Sequence, residues 1–287
     1  TELSAEDLDQ ILDPVVLDYD AGVLPLTPNG NATERHICAA YDAKARTLFP
    51  DPGARAAYWA EKLGTPAEKV AAILDNAPQL HGLIRGKTMK AGGAGYVKPE
   101  GPDFPGLVEV NQFILENGGI PSYAFVDGTS EGEAALEELL DVNAASGAAA
   151  LTVIPDRNWN FSDHEVKRRK VELLGWCMGI ARERDLPVVV GTEMNAPGQK
   201  FVDQFDEPSL APYFDDFLAG ANILHAHTLL QAHAGMGYLS AWARANFTNA
   251  AEKNDFYRHF GAACGPAADL SGIGPECAAA EIARRIQ

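Results

Sequence analysis

Leu186-Pro187-Val188-Val189-Val190-Gly191-Thr192-Glu193 decides how the chain is read. The run is short, apolar and β-branched, and it closes on a glycine and a carboxylate. It predicts a buried strand ending at a polar rim. Similar runs stand at 120–126, 148–154 and 221–226. Between them the apolar residues take helical spacing. Leu107, Val110 and Ile114 mark one helix before the turn at Gly118-Gly119. A capping box at Ser130 and Glu133 precedes Leu136, Leu139 and Leu140, and a second at Ser162 and Glu165 precedes Val166, Leu173, Cys177 and Ile180. Leu210, Phe214 and Phe217 mark a last helix before 221–226. Strand and helix alternating over short connections mean parallel strands joined by right-handed crossovers. Strand ends fall about 30 residues apart and no Gly-x-Gly-x-x-Gly follows a strand, which favours a barrel over a dinucleotide-binding sheet. The expected fold is therefore α/β, a TIM-like (β/α) barrel, complete or incomplete.

Upstream the text is helical. Residues 33–76 predict two or three helices broken at Pro50, Pro52 and Pro66, and the Asp13-Pro14 pair closes an acidic N-terminal helix. The expected organisation is an N-terminal helical cap with a Gly/Lys-rich loop over 1–105, then a barrel core over 106–287 with a helical C-terminal tail, the two parts separate or continuous. The chain begins at Thr1 without methionine, so either its start was processed or it is part of a longer protein.

With 46% hydrophobic and 22% charged residues in a chain of 287, a large core is within reach and a disordered chain is excluded. The net charge of −17 repels phosphate backbones and anionic bilayers, so neither nucleic acid nor a membrane is an expected partner. No run of about 18 apolar residues is present. Four cysteines, none in a Cys-x-x-Cys pair, argue against a disulfide framework or a cysteine-rich zinc site, and a reducing cytoplasm fits this usage.

Residues at the carboxyl ends of parallel strands meet at one mouth. Here those ends carry Asp127, then Asp156-Arg157-Asn158-Trp159, then Glu193 with Asn195, then His225-Ala226-His227. On an extended segment His225 and His227 share a face, and with Glu193 they form a candidate site for a divalent ion such as Zn, Mn or Fe. The alternative for each histidine is a hydrogen-bonded core residue, and His233 is open to either reading. Asp127, Asp156, Arg157 and Glu193 are the candidate catalytic residues. Arg157 could clamp an anion and Trp159 could floor a ring, with Asn158 and Asn195 as further substrate contacts. The segment 85–98 adds Arg85, Lys87 and Lys90 among glycines without an acid, either an anion-gripping loop or a solvated surface loop. Thr33-Glu34-Arg35-His36 reads as a helix start or as a second approach to the mouth.

The run 188–193, followed by Asn222-Ile223-Leu224-His225, resembles the strand-end glutamate and the following histidine of PHP-type metal-dependent hydrolases, over residues 120–230. The resemblance implies a metal-dependent hydrolase with Glu193 and His225 near its site. The family's early His-x-His and His-Asp-His-like loop do not occur in the first hundred residues. The expected function is hydrolysis of an anionic small molecule, a phosphoester first, by ion-activated water. In that scheme Asp156 or Asp127 takes a proton, and Arg157 with Lys87 or Lys90 stabilises negative charge. The alternatives are a sugar-acid isomerase or aldolase-type lyase at the same mouth, or a ligand-binding barrel without catalysis.

Overall fold

Three strands, β1 (Ser122–Phe125), β2 (Ala150–Val153) and β3 (Val188–Val190), pair in parallel in the order β1-β2-β3. Their register places Tyr123, Phe125, Leu151, Val153, Val188 and Val190 on one face. On the other stand Ser122, Ala124, Thr152 and Val189, with Ser122 Oγ 2.7 Å from Thr152 Oγ1. The computed structural model describes residues 5–98, 101, 104–194 and 200–286. The chain divides into two compact units, Thr1–Phe104 and Pro105–Gln287.

The first unit is helical: α1 (Ala5–Ile11), α2 (Glu34–Leu48), α3 (Pro52–Leu63), α4 (Ala67–Ile73) and α5 (Ala77–Thr88). The breaks fall where Pro50, Pro66 and Pro78 forbid helix continuation or favour a first turn. Its core gathers Leu12, Tyr41, Trp59, Leu80 and Ile84, all fully or almost fully buried. The polar tips are satisfied, the Tyr41 hydroxyl donating to Asp9 Oδ1 (2.8 Å) and the Tyr58 hydroxyl to the Leu12 carbonyl (2.5 Å).

The second unit holds the sheet with α6 (Leu107–Glu116), α7 (Glu131–Ala134), α8 (Leu136–Ala145), α9 (Asp156–Trp159), α10 (His164–Glu183), α11 (Phe214–Ala234), α12 (Ala241–Asn246), α13 (Ala250–Ala263) and α14 (Ala279–Arg285). One core packs Phe125, Leu151 and Val153 of the sheet against Leu140 of α8 and Leu174, Cys177 and Met178 of α10. A second gathers Ile223 and Leu230 of α11 with Trp242, Tyr257, Phe260 and Ile282.

This corrects the expected TIM barrel. A (β/α)8 barrel closes eight strands, whereas the described residues form three, in an open sheet within a mainly helical fold. The segment 221–226, expected as the fourth strand, lies inside α11. A short apolar run is the same in a buried strand and a buried helix, and length separates them. From Phe214 the helix runs 21 residues without proline, with Asp215 and Asp216 in its first turn and Gly235 as a left-handed cap. It is apolar on several sides because Phe217 enters the sheet core while Ile223, Ala226 and Leu230 enter the other. Two glycines allow the crossing: a Cβ at Gly220 would overlap the Val188 carbonyl of β3, and one at Gly261 of α13 the Asn222 carbonyl of α11.

Candidate functional site

The carboxyl ends of β1, β2 and β3 bring together Asp127, the α9 segment and Glu193. After β1 the chain turns around Glu133, a buried carboxylate on α7 that accepts from the backbone N–H of Val126 (2.6 Å) and of Gly128 (3.1 Å). Ser130 caps the same helix by accepting from the Glu133 N–H, as the capping-box spacing predicts. Glu133→Ala would strand two amide donors, and it is expected to cost about 2 kcal/mol, read from urea unfolding. A loss under about 0.5 kcal/mol would show that the turn is held otherwise.

That turn presents Asp127. Its Oδ1 accepts from the Thr129 N–H (3.0 Å), and its Oδ2 lies 2.6 Å from Lys170 Nζ of α10. Burial alone would raise the pKa of Asp127, but the hydrogen bonds and charge of Lys170 together with Thr129 outweigh it and hold the carboxyl below its ordinary value. Asp127 therefore stands as an ion-pair partner. Asn158 is fully buried, and its Nδ2 donates to the Val126 carbonyl (3.1 Å) and the Ile154 carbonyl (2.9 Å), tying the end of β1 to that of β2. It pins the rim. Beside it Trp159 is nearly buried, with Lys167 Nζ 5.0 Å and Lys200 Nζ 5.4 Å from its ring centre. Arg157 pairs through Nε with Glu193 Oε1.

Two carboxyls remain. Asp156 opens α9, and its Oδ1 is buried with no hydrogen-bond partner among the described residues. Asp203, 7% exposed, accepts from the Thr192 hydroxyl (2.9 Å) two residues beyond β3. Burial first, and the negative charge of Asp156 in addition, push the pKa of Asp203 up against the opposing pull of Thr192 and Lys200. The rim thus joins an acid held toward its neutral form, a buried unsatisfied acceptor and several cations.

The metal set is corrected. On α11 two residues i and i+2 lie about 200° apart around the axis, so His225 and His227 do not share a face as they would on a strand. His225 Nε2 donates to the Cys264 carbonyl (2.8 Å), while His227 Nδ1 accepts from the Tyr238 N–H (2.9 Å). His233 Nε2 donates to the Ile273 carbonyl (2.9 Å). Glu193 is engaged with Arg157. Among the described residues no three His, Cys, Asp or Glu side chains are placed to hold an ion, so these residues do not fit the divalent metal expected of them.

Burial lowers the pKa of His227 below 6.5, against the pull of a hydrogen bond with the Gly118 backbone. The unfolded chain takes up this proton more readily, so the stability His227 contributes is complete above that value and is lost as pH falls through it. Melting temperature should fall more steeply between about pH 7.5 and 5.5 in the wild type than in His227→Gln. Parallel curves would show that His227 titrates as in the unfolded chain.

Arg85, Lys87 and Lys90 belong to the first unit. Arg85 and Lys87 lie in the last turn of α5 rather than in a loop. Arg85 and Lys90 both pair with Glu34, the lysine at 3.0 Å. The amides of Gly93, Ala94 and Gly95 donate to the carbonyls of Lys90, Lys87 and Thr88, so the glycine-rich stretch closes the end of the helix with the N–H groups an anion would need. Asn195 lies outside the described residues.

The sequence reading missed Asp203, Thr192, Lys167 and Lys170. A signal for the lysines existed. The basic run 167–170 falls within the first two turns of α10, toward the helix end where the dipole disfavours cations, so those charges call for partners elsewhere. No helix among the described residues is long and apolar enough to cross a membrane. Comparison with protein-family models, with curated proteins and with solved structures finds no match to this chain.

Proposed function

We propose that the rim at the ends of β1, β2 and β3 is the active site of a hydrolase that cleaves a small anionic ester, a phosphoester first, by general acid–base chemistry. The observation that carries this reading is the carboxyl pair: buried Asp203 facing the charge of Asp156, whose own Oδ1 is buried and accepts no hydrogen bond among the described residues. Two carboxyls in one site, one of them with its charged form disfavoured by burial, can take opposite parts in one reaction. The Asp156 carboxylate takes a proton from the attacking water, the ester bond breaks, and Asp203 gives its proton to the leaving oxygen. Arg157 and Lys200 supply positive charge to the anion and to the charge that develops on it. Lys170, fixed by Asp127, keeps the β1 end in place. Four free cysteines, three of them buried, suit a reducing cytoplasm, where we place the protein.

The test is hydrolysis of p-nitrophenyl phosphate, bis-p-nitrophenyl phosphate and neutral p-nitrophenyl acetate by the wild type and Asp203→Asn. The expected result is saturable turnover of a phosphate ester, faster than that of the acetate and lost in the variant. No turnover of either phosphate ester above the variant's background would overturn the reading.

A further inference from the structure

The second core leaves a cavity of about 590 Å3 between α13, α14 and Phe247, within the range of about 300–1,000 Å3 in which small molecules are held. It exists because small side chains meet large ones. On α14 the facing positions are Ala279, Ala280 and Ala283, too short to reach Phe247 and Phe256 on the opposite wall. Those two rings are braced rather than free to fill the gap. They pack on each other with centres 5.2 Å apart, and both pack on Trp242, at 5.9 and 5.6 Å.

The rim of this cavity is acidic. On α13 the lining residues Glu252, Asp255, Phe256 and His259 recur at i, i+3, i+4 and i+7, one stripe in which carboxylates sit beside the aromatic wall. Asp255 is engaged by Arg258 (2.7 Å) and His259 (3.2 Å). Glu252 accepts from the Thr248 hydroxyl (3.0 Å) and has no cationic partner among the described residues. None of the residues that line the cavity is Lys or Arg. Aromatic faces and a carboxylate without a cationic side-chain partner both attract a cation, and the apolar floor selects one that carries a hydrophobic body.

We infer that this cavity binds a small organic ammonium ion, its aromatic or aliphatic body against Phe247, Phe256 and the α14 alanines and its nitrogen at Glu252. The elements that build it are not those that carry the strand-end rim, so the inference stands independently of the proposed hydrolysis.

The probe is 1-naphthylmethylammonium, titrated by calorimetry against the full chain at about 0.15 M salt, where loosely held counterions are screened. Its controls are 1-naphthoate, with the same body and the opposite charge, and ethylammonium, with the charge and almost no body. Saturable one-to-one binding of the probe is expected, with both controls at least about tenfold weaker. Glu252→Gln should weaken it about fivefold, and Ala283→Leu, which fills the floor, at least about tenfold. Ala280→Leu fills the same cavity from an exposed position and replaces Ala283→Leu if that variant does not fold. Absence of saturable binding, naphthoate binding as tightly as the ammonium, or affinity unchanged by both the filling and the charge substitution would overturn the inference.

Discussion

Gly220→Ala is expected to lower the unfolding free energy by about 3 kcal/mol or more. The added carbon would overlap the Val188 carbonyl of β3. The obstacle is backbone, which cannot rotate away as the tip of a side chain can, so α11 or β3 must move. Movement of α11 disturbs both cores at once, because Phe217 belongs to one and Ile223 to the other. Gly179 on α10 provides the comparison, since a Cβ there meets nothing within 4 Å. At that position helix propensity alone acts, and Gly179→Ala is expected to stabilise by about 0.5–1 kcal/mol. Opposite signs at two helical glycines, read from urea midpoints at constant m, separate close backbone packing from propensity. Equal signs would mean that α11 is not pressed against β3.

Asp203→Asn is expected to reduce kcat/KM by about 10²–10⁴-fold while making the protein more stable at neutral pH. The two effects have one origin. The folded state raises the pKa of Asp203 above 3.8, so the fold holds this proton more tightly than the unfolded chain does. The stability tied to that proton is fully present below 3.8 and is lost as pH rises through the folded value. Above 3.8 the fold therefore bears the cost of a buried carboxyl near the charge of Asp156, and a neutral amide removes it. A gain of about 1 kcal/mol is expected at pH 7, shrinking toward zero near pH 3.5. A variant that loses both activity and stability would instead mark Asp203 as a structural residue of the Thr192 turn.

Local signals placed the three strands well because nothing competed with them. Val188–Val190 has no helical reading, and the turns after 126, 154 and 190 hold glycine, proline or both close by. The rule that strand ends converge then set Asp127, Asp156, Arg157, Asn158, Trp159 and Glu193 on one rim. What each does there was not legible. Asn158 turned inward to the carbonyls of Ile154 and the distant Val126, and Asp127 to Lys170, and no periodicity reports the two distant partners. Segment 221–226 failed for the opposite reason, since its apolar run satisfies two secondary structures and tertiary packing chose the helix. With that choice His225 and His227 parted, because a spacing of two unites side chains on a strand and divides them on a helix. Asp203 lay beyond sequence reading, coming from a loop residue well past the strand whose end it meets.

The most direct test of the strand-end site is an NMR titration of the Asp203 side-chain carboxyl in the wild-type protein, assigned by its absence in Asp203→Asn. A midpoint above 3.8 is expected, from burial and the neighbouring Asp156 charge, as a proton donor held at the rim requires. A midpoint at or below 3.8 would mean that Asp203 is ionised like an ordinary surface carboxylate, and the acid–base assignment of Asp203 and Asp156 would fall with it.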